Sequence, residues 1–361
     1  MSVENPIIDF GDPQATDVSL VGAKVARLVE SADQGFQTPR GFAVSTSAFL
    51  GFMNAIDDGG LVAEINAFEA DDIGDAKAFE TRMVDAVMTA AISSKLAEAI
   101  RAAYESLCFT ERHVDCPVAV RSSATGEDAK DASFAGQYES YLGVSGTADL
   151  IEAIRRGWAS LFTERALLYR RKTGLAYSQT PMALGVMTLV DARAAGVGFS
   201  AHPVRGTHDR MVVESTFGFG EALVQGLVTP DHFELDKESL RLLERTIGDK
   251  AIVSVLDTKK GAVVERPMPH MFQPAASLTD EELAAVGDLL RQIEIKAGHP
   301  VDIEWVIPHG WRAGQAVMLV QVRPITAMGE QTEQAPTETA KPQTFNPGAF
   351  ASKYTSRRRR R

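Results

Sequence analysis

The stretch that most constrains this chain runs from Pro300 to Pro324, P-V-D-I-E-W-V-I-P-H-G-W-R-A-G-Q-A-V-M-L-V-Q-V-R-P. Asp302 and Glu304 lie two apart in one β-prone run, and Gln321 and Arg323 lie two apart in the next. Side chains at i and i+2 share one face of a strand. A reversal around Trp311 to Gly314 predicts an antiparallel hairpin with Glu304 opposite Gln321 and Asp302 opposite Arg323. One sheet face then carries two carboxylates, an amide and a guanidinium among Val, Ile, Met and Leu.

Such a cluster is costly on a half-buried sheet unless cations or donors pair with it. A divalent ion carrying phosphates meets that need, since Mg²⁺ takes hard oxygen ligands and a guanidinium suits a polyphosphate. A structural ion pair between Asp302 and Arg323 meets it too, and the hairpin alone leaves both readings open.

The 361 residues are enough for two or three packed lobes. With 24% charged and 45% hydrophobic residues the composition is that of an ordinary soluble protein. No basic segment followed by an apolar one opens the chain, and no apolar run is long enough to span a bilayer, so a cytoplasmic location without membrane contact is expected. Cys108 and Cys116, the only cysteines, have neither a metal-ligand spacing nor a disulfide framework and read as packing residues. A net charge of -11 argues against general nucleic-acid binding. The exception is local: Arg357 to Arg361 form a terminal arginine run, without which 32 Lys and Arg face 48 Asp and Glu. That run follows Gln331 to Ser356, rich in Thr, Gln, Pro and Ala, and residues 331–361 are predicted to be a disordered tail.

Earlier segments add candidate ligand groups. Residues 1 to 18 show no clear periodicity, and Val21 to Glu30 predicts a short helix opened by Gly22, with Lys24 in its first turn. A lysine there is poorly placed against the helix dipole but well placed to share a phosphate with backbone N–H groups. An ordinary solvated lysine fits as well. Residues 47 to 110 are Ala-rich with helical spacing, a predicted helical subdomain. An apolar strand, Val118 to Val120, ends on Arg121, whose planar fork suits phosphate. Ser133 to Gln137, S-F-A-G-Q, is a small loop in which Gly136 permits close backbone approach, or else a plain surface loop.

Ala148 to Lys172 predicts one long amphipathic helix with Leu150, Ile154, Trp158, Leu161 and Phe162 on its buried face and its arginines, Arg170 included, mostly solvated. Pro181 to Val190 predicts a buried strand whose edge could carry an adenine. His202 lacks a Ser or Cys nucleophile to serve and reads as structural. Met211 to Glu214 predicts a strand, and Gly218-Phe219-Gly220 a turn that lacks the dinucleotide fingerprint. Thr279 to Ala297 predicts a helix with a Thr279/Glu282 capping box, a stripe of Leu283, Val286, Leu290 and Ile293, and Gly298 at its end.

Taken in order, V-G-A-K (21–24), P-R-G-F-A-V-S-T (39–46), V-R-S-S-A-T-G-E-D (120–128), S-F-A-G-Q-Y-E-S (133–140), G-F-G-E (218–221), V-T-P-D (228–231), D-I-E-W (302–305) and Q-V-R-P-I-T (321–326) resemble the N-terminal nucleotide-binding domain of phosphoenolpyruvate synthase and its relatives. Those relatives include pyruvate phosphate dikinase and rifampicin phosphotransferase. The resemblance covers roughly residues 18 to 328. It implies an α/β (α+β) ATP-grasp fold with the nucleotide held between two lobes: residues 1–190 with a helical insertion at about 47–110, and residues 191–330 with the hairpin.

It also implies site roles. Lys24 and Arg121 resemble polyphosphate clamps, and Ser133, Gly136 and Gln137 belong to the loop that covers the phosphates. Glu304 and Gln321 resemble the metal-binding pair, Asp302 its neighbour, and Arg323 the guanidinium that stabilises charge in transfer. ATP and Mg²⁺ are the implied cofactors. Two positions depart from the pattern: Met187 stands where a glutamine is usual, which leaves the adenine contacts unassigned, and Ser140 stands where threonine is usual.

In the family a mobile domain carries the histidine that is phosphorylated, in a Gly-rich Thr-Cys/Ser-His-Ala loop. His113, His202, His208, His232, His270, His299 and His309 all lack that setting. The resemblance therefore implies an ATP-dependent phosphotransferase subunit that phosphorylates a histidine on a partner polypeptide. The partner then passes the phosphoryl group to a small acceptor, as in phenylphosphate synthase with phenol. A nucleotide-sensing module without transfer, or a fragment of a full-length synthase or antibiotic phosphotransferase, are the alternatives.

Overall fold

The computed structural model describes residues 5–57, 60–68, 73–126, 128–129, 132–133, 140–173, 177, 180–203 and 205–325. They divide into two compact units, one reaching Leu189 and including Asp257–Ala262, the other comprising Val190–Leu256 and the chain from Val263 onward. The class is α+β, and the strands of both main sheets pair antiparallel.

In the first unit β1 (Ile7–Asp9), β2 (Gly41–Val44), β3 (Val118–Ala124), β6 (Ser140–Val144) and β7 (Met182–Thr188) form a sheet of order β1-β2-β7-β3-β6. The two-residue strands β4 (Asp128–Ala129) and β5 (Ala132–Ser133) pair only with each other. Helix α1 (Val18–Asp33) covers one face of the sheet through Val21, Val25, Ala26 and Val29, which pack with Ile8 and Ala43. The other face, from Phe42, Val44, Val118, Val120, Leu184 and Val186, meets a helical layer of α2 (Thr46–Ile56), α3 (Leu61–Ala67), α4 (Ile73–Thr89), α5 (Ser94–Thr110), α6 (Thr147–Ala159) and α7 (Glu164–Thr173). Strand alternation makes this sorting automatic, since Phe42 and Val44 point one way and Ala43 the other. Trp158 anchors the layer, its ring centroid 4.9 Å from that of Phe52 and 5.9 Å from that of Phe49. Cys108 and Cys116 lie in the same core as free thiols.

Three local expectations change. The helix expected over 148–172 is two helices, because Thr163 turns extended (ψ 146°) and its hydroxyl accepts from Ala166 N, starting α7 as a cap. Arg170, expected in solvent, is buried against the rings of Phe162 and Tyr177. The aperiodic N-terminal residues contribute β1, which pairs with β2.

In the second unit β8 (Ala192–Phe199), β9 (Arg210–Phe217), β10 (Asp231–Asp236), β11 (Leu242–Thr246), β14 (Val301–Pro308) and β15 (Met318–Pro324) form a sheet of order β11-β10-β9-β8-β14-β15. Strands β12 (Ile252–Asp257) and β13 (Ala262–Pro267) make a separate ribbon, and α8 (Glu221–Val224) is a single turn. Helix α9 (Asp280–Ala297) carries the expected capping box and closes at Gly298. Its Leu283, Val286, Leu290 and Ile293 are buried, and Leu290 lies beside Ile303 at Gly198. A wholly buried Asp231–Lys250 pair braces the sheet, with Asp231 Oδ2 also accepting from Ser277 N at 2.6 Å and Ser277 Oγ at 2.7 Å. Among the described residues no helix is long and apolar enough to cross a membrane.

The sheet face away from α9 holds a second charged group. Glu234, 2% exposed, takes Arg210 Nη1 at 2.7 Å, and His202 Nε2 and Arg205 Nη1 each at 3.4 Å. His202 Nδ1 accepts from Arg205 N, and burial holds this imidazole below its ordinary pKa. His232 behaves oppositely: its hydrogen bond to Glu214, 3.4 Å from Nδ1, raises its pKa, with Glu234 and Glu244 adding attraction against the cost of burial.

Two outcomes follow from this packing. Thr279→Ala removes the N-cap acceptor of α9 and should lower unfolding stability by about 1 kcal/mol in denaturant titrations. A raised histidine pKa stabilises the fold fully below the unfolded value, near 6.5, and that contribution is lost as pH rises through the folded value. The stability advantage of the wild type over His232→Gln should therefore be largest below pH 6.5 and shrink on going alkaline, whereas an advantage that grows with pH would contradict the Glu214–His232 assignment.

Candidate functional site

Strands β14 and β15 pair in the register read from the sequence, Asp302 with Arg323 and Glu304 with Gln321. Gln321 Nε2 donates to Glu304 Oε1 at 3.0 Å, and Arg323 Nε donates to Asp302 Oδ1 at 3.1 Å. Just beyond them, between Glu304 and Trp305, the pairing slips by one residue, so that Trp305 meets Leu319 and Val320 is the extra residue of a bulge. That slip keeps Trp305 and Leu319 both in the core while the four polar groups stay together on the other face. Val301, Ile303, Trp305 and Ile307 are fully buried, and Asp302 and Glu304 between them are half-buried.

The ion pair anticipated as the ligand-free reading is thus present, and each partner is 22% exposed. A half-buried pair loses to desolvation much of what its attraction gains, so stability alone is a weak reason for the arrangement. Among the described residues no three His, Cys, Asp or Glu side chains are spaced to hold a metal ion. The donor set at the hairpin is nevertheless hard: the Glu304 carboxylate with the Gln321 amide beside it. This fits Mg²⁺, which takes one or two carboxylates and draws its remaining ligands from phosphates and water.

The first unit has its own polar group, on the sheet face that α1 covers. The α1 helix is broken at Gly22 (φ 73°, ψ 167°), so a new helical run starts at Ala23 and places Lys24 in its first turn. A side chain at Gly22 is barred twice: its Cβ would lie 1.9 Å from the Ser123 carbonyl oxygen, and its φ is left-handed. Ser123 Oγ in turn accepts from Val25 N at 3.1 Å, a buried bond between the helix start and β3. Arg121, two residues before Ser123, shares its strand face and stands opposite Gly185 of β7. Gly185 is bare because Val25 fills the space where its Cβ would stand, 2.7 Å from Val25 Cγ2. Lys24 and Arg121 are both half-buried.

Two expectations about this region need correction. Arg121 does not end its strand, because β3 continues to Ala124 through pairing with Met182, Ala183 and Leu184. Strand β7, expected to offer an edge to an adenine, is paired by β3 along its whole length and by β2 along Leu184 to Met187, so its Met182–Ala183 end lacks a second strand partner among the described residues. Met187 is buried on the same face as Arg121. The backbone of Ser133 pairs with Asp128, while the side chain of Ser133 and the whole of Gly136 and Gln137 lie outside the described residues. The hairpin thus brings Asp302, Glu304, Gln321 and Arg323 together, and α1 with β3 holds Lys24 and Arg121 in the first unit. Reading the sequence passed over Ser123; its signal was the i+2 spacing from Arg121, which puts both on one face.

Comparison with known proteins places this geometry. Residues 18–344 match the model of the pyruvate phosphate dikinase AMP/ATP-binding domain. A probable phosphoenolpyruvate synthase of Methanothermobacter thermautotrophicus is 36% identical over 321 residues, which are 88% of this chain and 46% of that protein. The phosphoenolpyruvate synthase of Pyrococcus furiosus is 32% identical over 361 aligned residues, covering 89% of this chain and 44% of its own. The rifampicin phosphotransferase of Bacillus subtilis is 34% identical over 327 residues, or 89% and 36%. The chain spans less than half the length of these relatives. With a family model matched over most of its length, the chain belongs to the pyruvate phosphate dikinase AMP/ATP-binding domain family.

Proposed function

We propose that this chain is the ATP-binding part of a divided phosphotransferase of the phosphoenolpyruvate synthase type. It binds MgATP and phosphorylates a histidine on a separate polypeptide, which passes the phosphoryl group to a small acceptor. The observation that carries the reading is the hairpin register, which gathers a carboxylate pair, an amide and a guanidinium on one half-buried face in a chain of this family.

Phosphoryl transfer asks little covalent chemistry of a protein and much positioning and charge neutralisation. Lys24 and Arg121 are assigned to grip the polyphosphate, the lysine as a point charge and the arginine as a planar fork. Glu304 with Gln321 would hold Mg²⁺, which when bound neutralises phosphate charge. Asp302 orients Arg323 through their 3.1 Å hydrogen bond, so that the guanidinium is held for the charge that develops on the transferred group. With ATP converted to AMP and phosphate, the β-phosphoryl group is the one retained on histidine. None of the seven histidines sits in a small-residue Thr-Ser/Cys-His-Ala loop, so none of them is assigned as the phosphorylated residue. An organisation like that of phenylphosphate synthase, with phenol as final acceptor, is the specific form we favour.

The test follows label from β-³²P-ATP with Mg²⁺ in a lysate of the source organism, with and without the pure chain. An acid-labile, base-stable label on a second polypeptide that depends on added chain is the expected result. No such label, despite MgATP binding by the pure chain, would favour a nucleotide-sensing module or a fragment of a full-length synthase or antibiotic phosphotransferase instead. Glu304→Ala and Arg323→Ala should each lower labelling by about 100-fold or more. Their unfolding stability should fall by about 1–3 kcal/mol, the cost of removing one partner from a half-buried hydrogen bond.

A further inference from the structure

We infer that Ser123 is a positioning residue for the phosphate-gripping pair Lys24 and Arg121, acting as a helix cap supplied from a neighbouring strand. The inference rests on the MgATP reading above and adds to it a residue that touches no phosphate itself.

The helical run that begins at Ala23 has Gly22 in the cap position, with φ 73° and ψ 167°. Caps are ordinarily Ser, Thr, Asp or Asn, whose side-chain oxygen accepts from the N–H two or three residues on. Glycine has no such oxygen. Counting from Gly22, Val25 is the third residue, and its N–H is taken by Ser123 Oγ at 3.1 Å in a wholly buried setting. The cap acceptor therefore comes from β3, ninety-eight residues further along the chain. The helix start can reach it only because Gly22 is bare, since a Cβ there would meet the Ser123 carbonyl oxygen at 1.9 Å and Ser123 Oγ at 2.4 Å.

This single junction lies between the two cations. Lys24 is the residue before Val25 on the helix, and Arg121 is two residues before Ser123 on the same strand face, about 7 Å away along the strand. The Ser123–Val25 bond and the Gly22–Ser123 contact thus tie the backbone that carries Lys24 to the backbone that carries Arg121. Two cations that share a polyphosphate must keep a set separation, because small misplacement of positioned groups is expensive in binding and transfer. Neighbouring Ser122 supplies an internal comparison. It is as buried as Ser123 and lies on the same strand, but it faces the opposite side of the sheet and its hydroxyl has no hydrogen-bond partner among the described residues.

The experiment titrates the full chain with MgATP and, separately, with adenosine, for the wild type and the variants Ser123→Ala, Ser123→Cys and Ser122→Ala, with thermal unfolding recorded for each. Ser123→Ala should raise the Kd for MgATP by about tenfold or more while leaving that for adenosine within about twofold. Ser123→Cys, close in size but a weak acceptor, should shift MgATP affinity in the same direction by less, and Ser122→Ala should bind as the wild type does. Unchanged MgATP affinity in both Ser123 variants would overturn the positioning role and leave the proposed function standing. Equal losses for MgATP and adenosine would make Ser123 a merely structural residue and overturn it as well. A wild-type chain that bound no MgATP would instead overturn the proposed function, and this inference with it.

Discussion

Charge on a half-buried sheet face is the constraint from which the rest of this structure follows. Each unit builds an antiparallel sheet, seals apolar residues under helices and leaves one face carrying polar groups. Desolvation forbids those groups from standing alone. In the second unit they are matched across strands: Arg323 to Asp302, Gln321 to Glu304, and the Glu214–His232 and Glu234–Arg210 contacts along β9 and β10. Cross-strand pairing is what an antiparallel register offers most cheaply, and the bulge at Val320 preserves it without exposing Trp305.

In the first unit the same constraint is met through the backbone. A helix start is a set of N–H groups in need of acceptors. The chain breaks α1 at a glycine and gives the acceptor role to a serine on β3. The consequence is geometric as much as energetic, because strand and helix are joined at one point and each carries a cation close to it. Small residues mark the junction on both sides, Gly22 on the helix and Gly185 on β7, where Val25 occupies the space a side chain would need.

The family assignment and the hairpin geometry agree, and the matched residues include the hairpin itself. One rests on similarity along most of the chain, the other on which side chains a register of strands brings together. Hard oxygen donors, an amide and a guanidinium within hydrogen-bonding reach are what binding of a metal-complexed polyphosphate requires. The Asp302–Arg323 ion pair, each partner 22% exposed, is part of the same cluster.

Much of this was legible before any coordinates. The i, i+2 spacing of Asp302 with Glu304 and of Gln321 with Arg323 specified the face, and the turn between them specified the register. The capping box and apolar stripe of α9 specified that helix to within a residue at each end. These features are local, set by periodicity and by groups a few residues apart. Tertiary structure alone decided the rest. Arg121 lies inside β3 because β7 pairs past it, most of β7 is flanked by strands on both sides, and Arg170 is buried by rings that tertiary packing brings beside it. Ser123 caps a helical run by accepting from Val25 N, ninety-eight residues earlier. Periodicity determines which way a side chain points, but what it meets there depends on segments distant in the chain, and only folding brings those together.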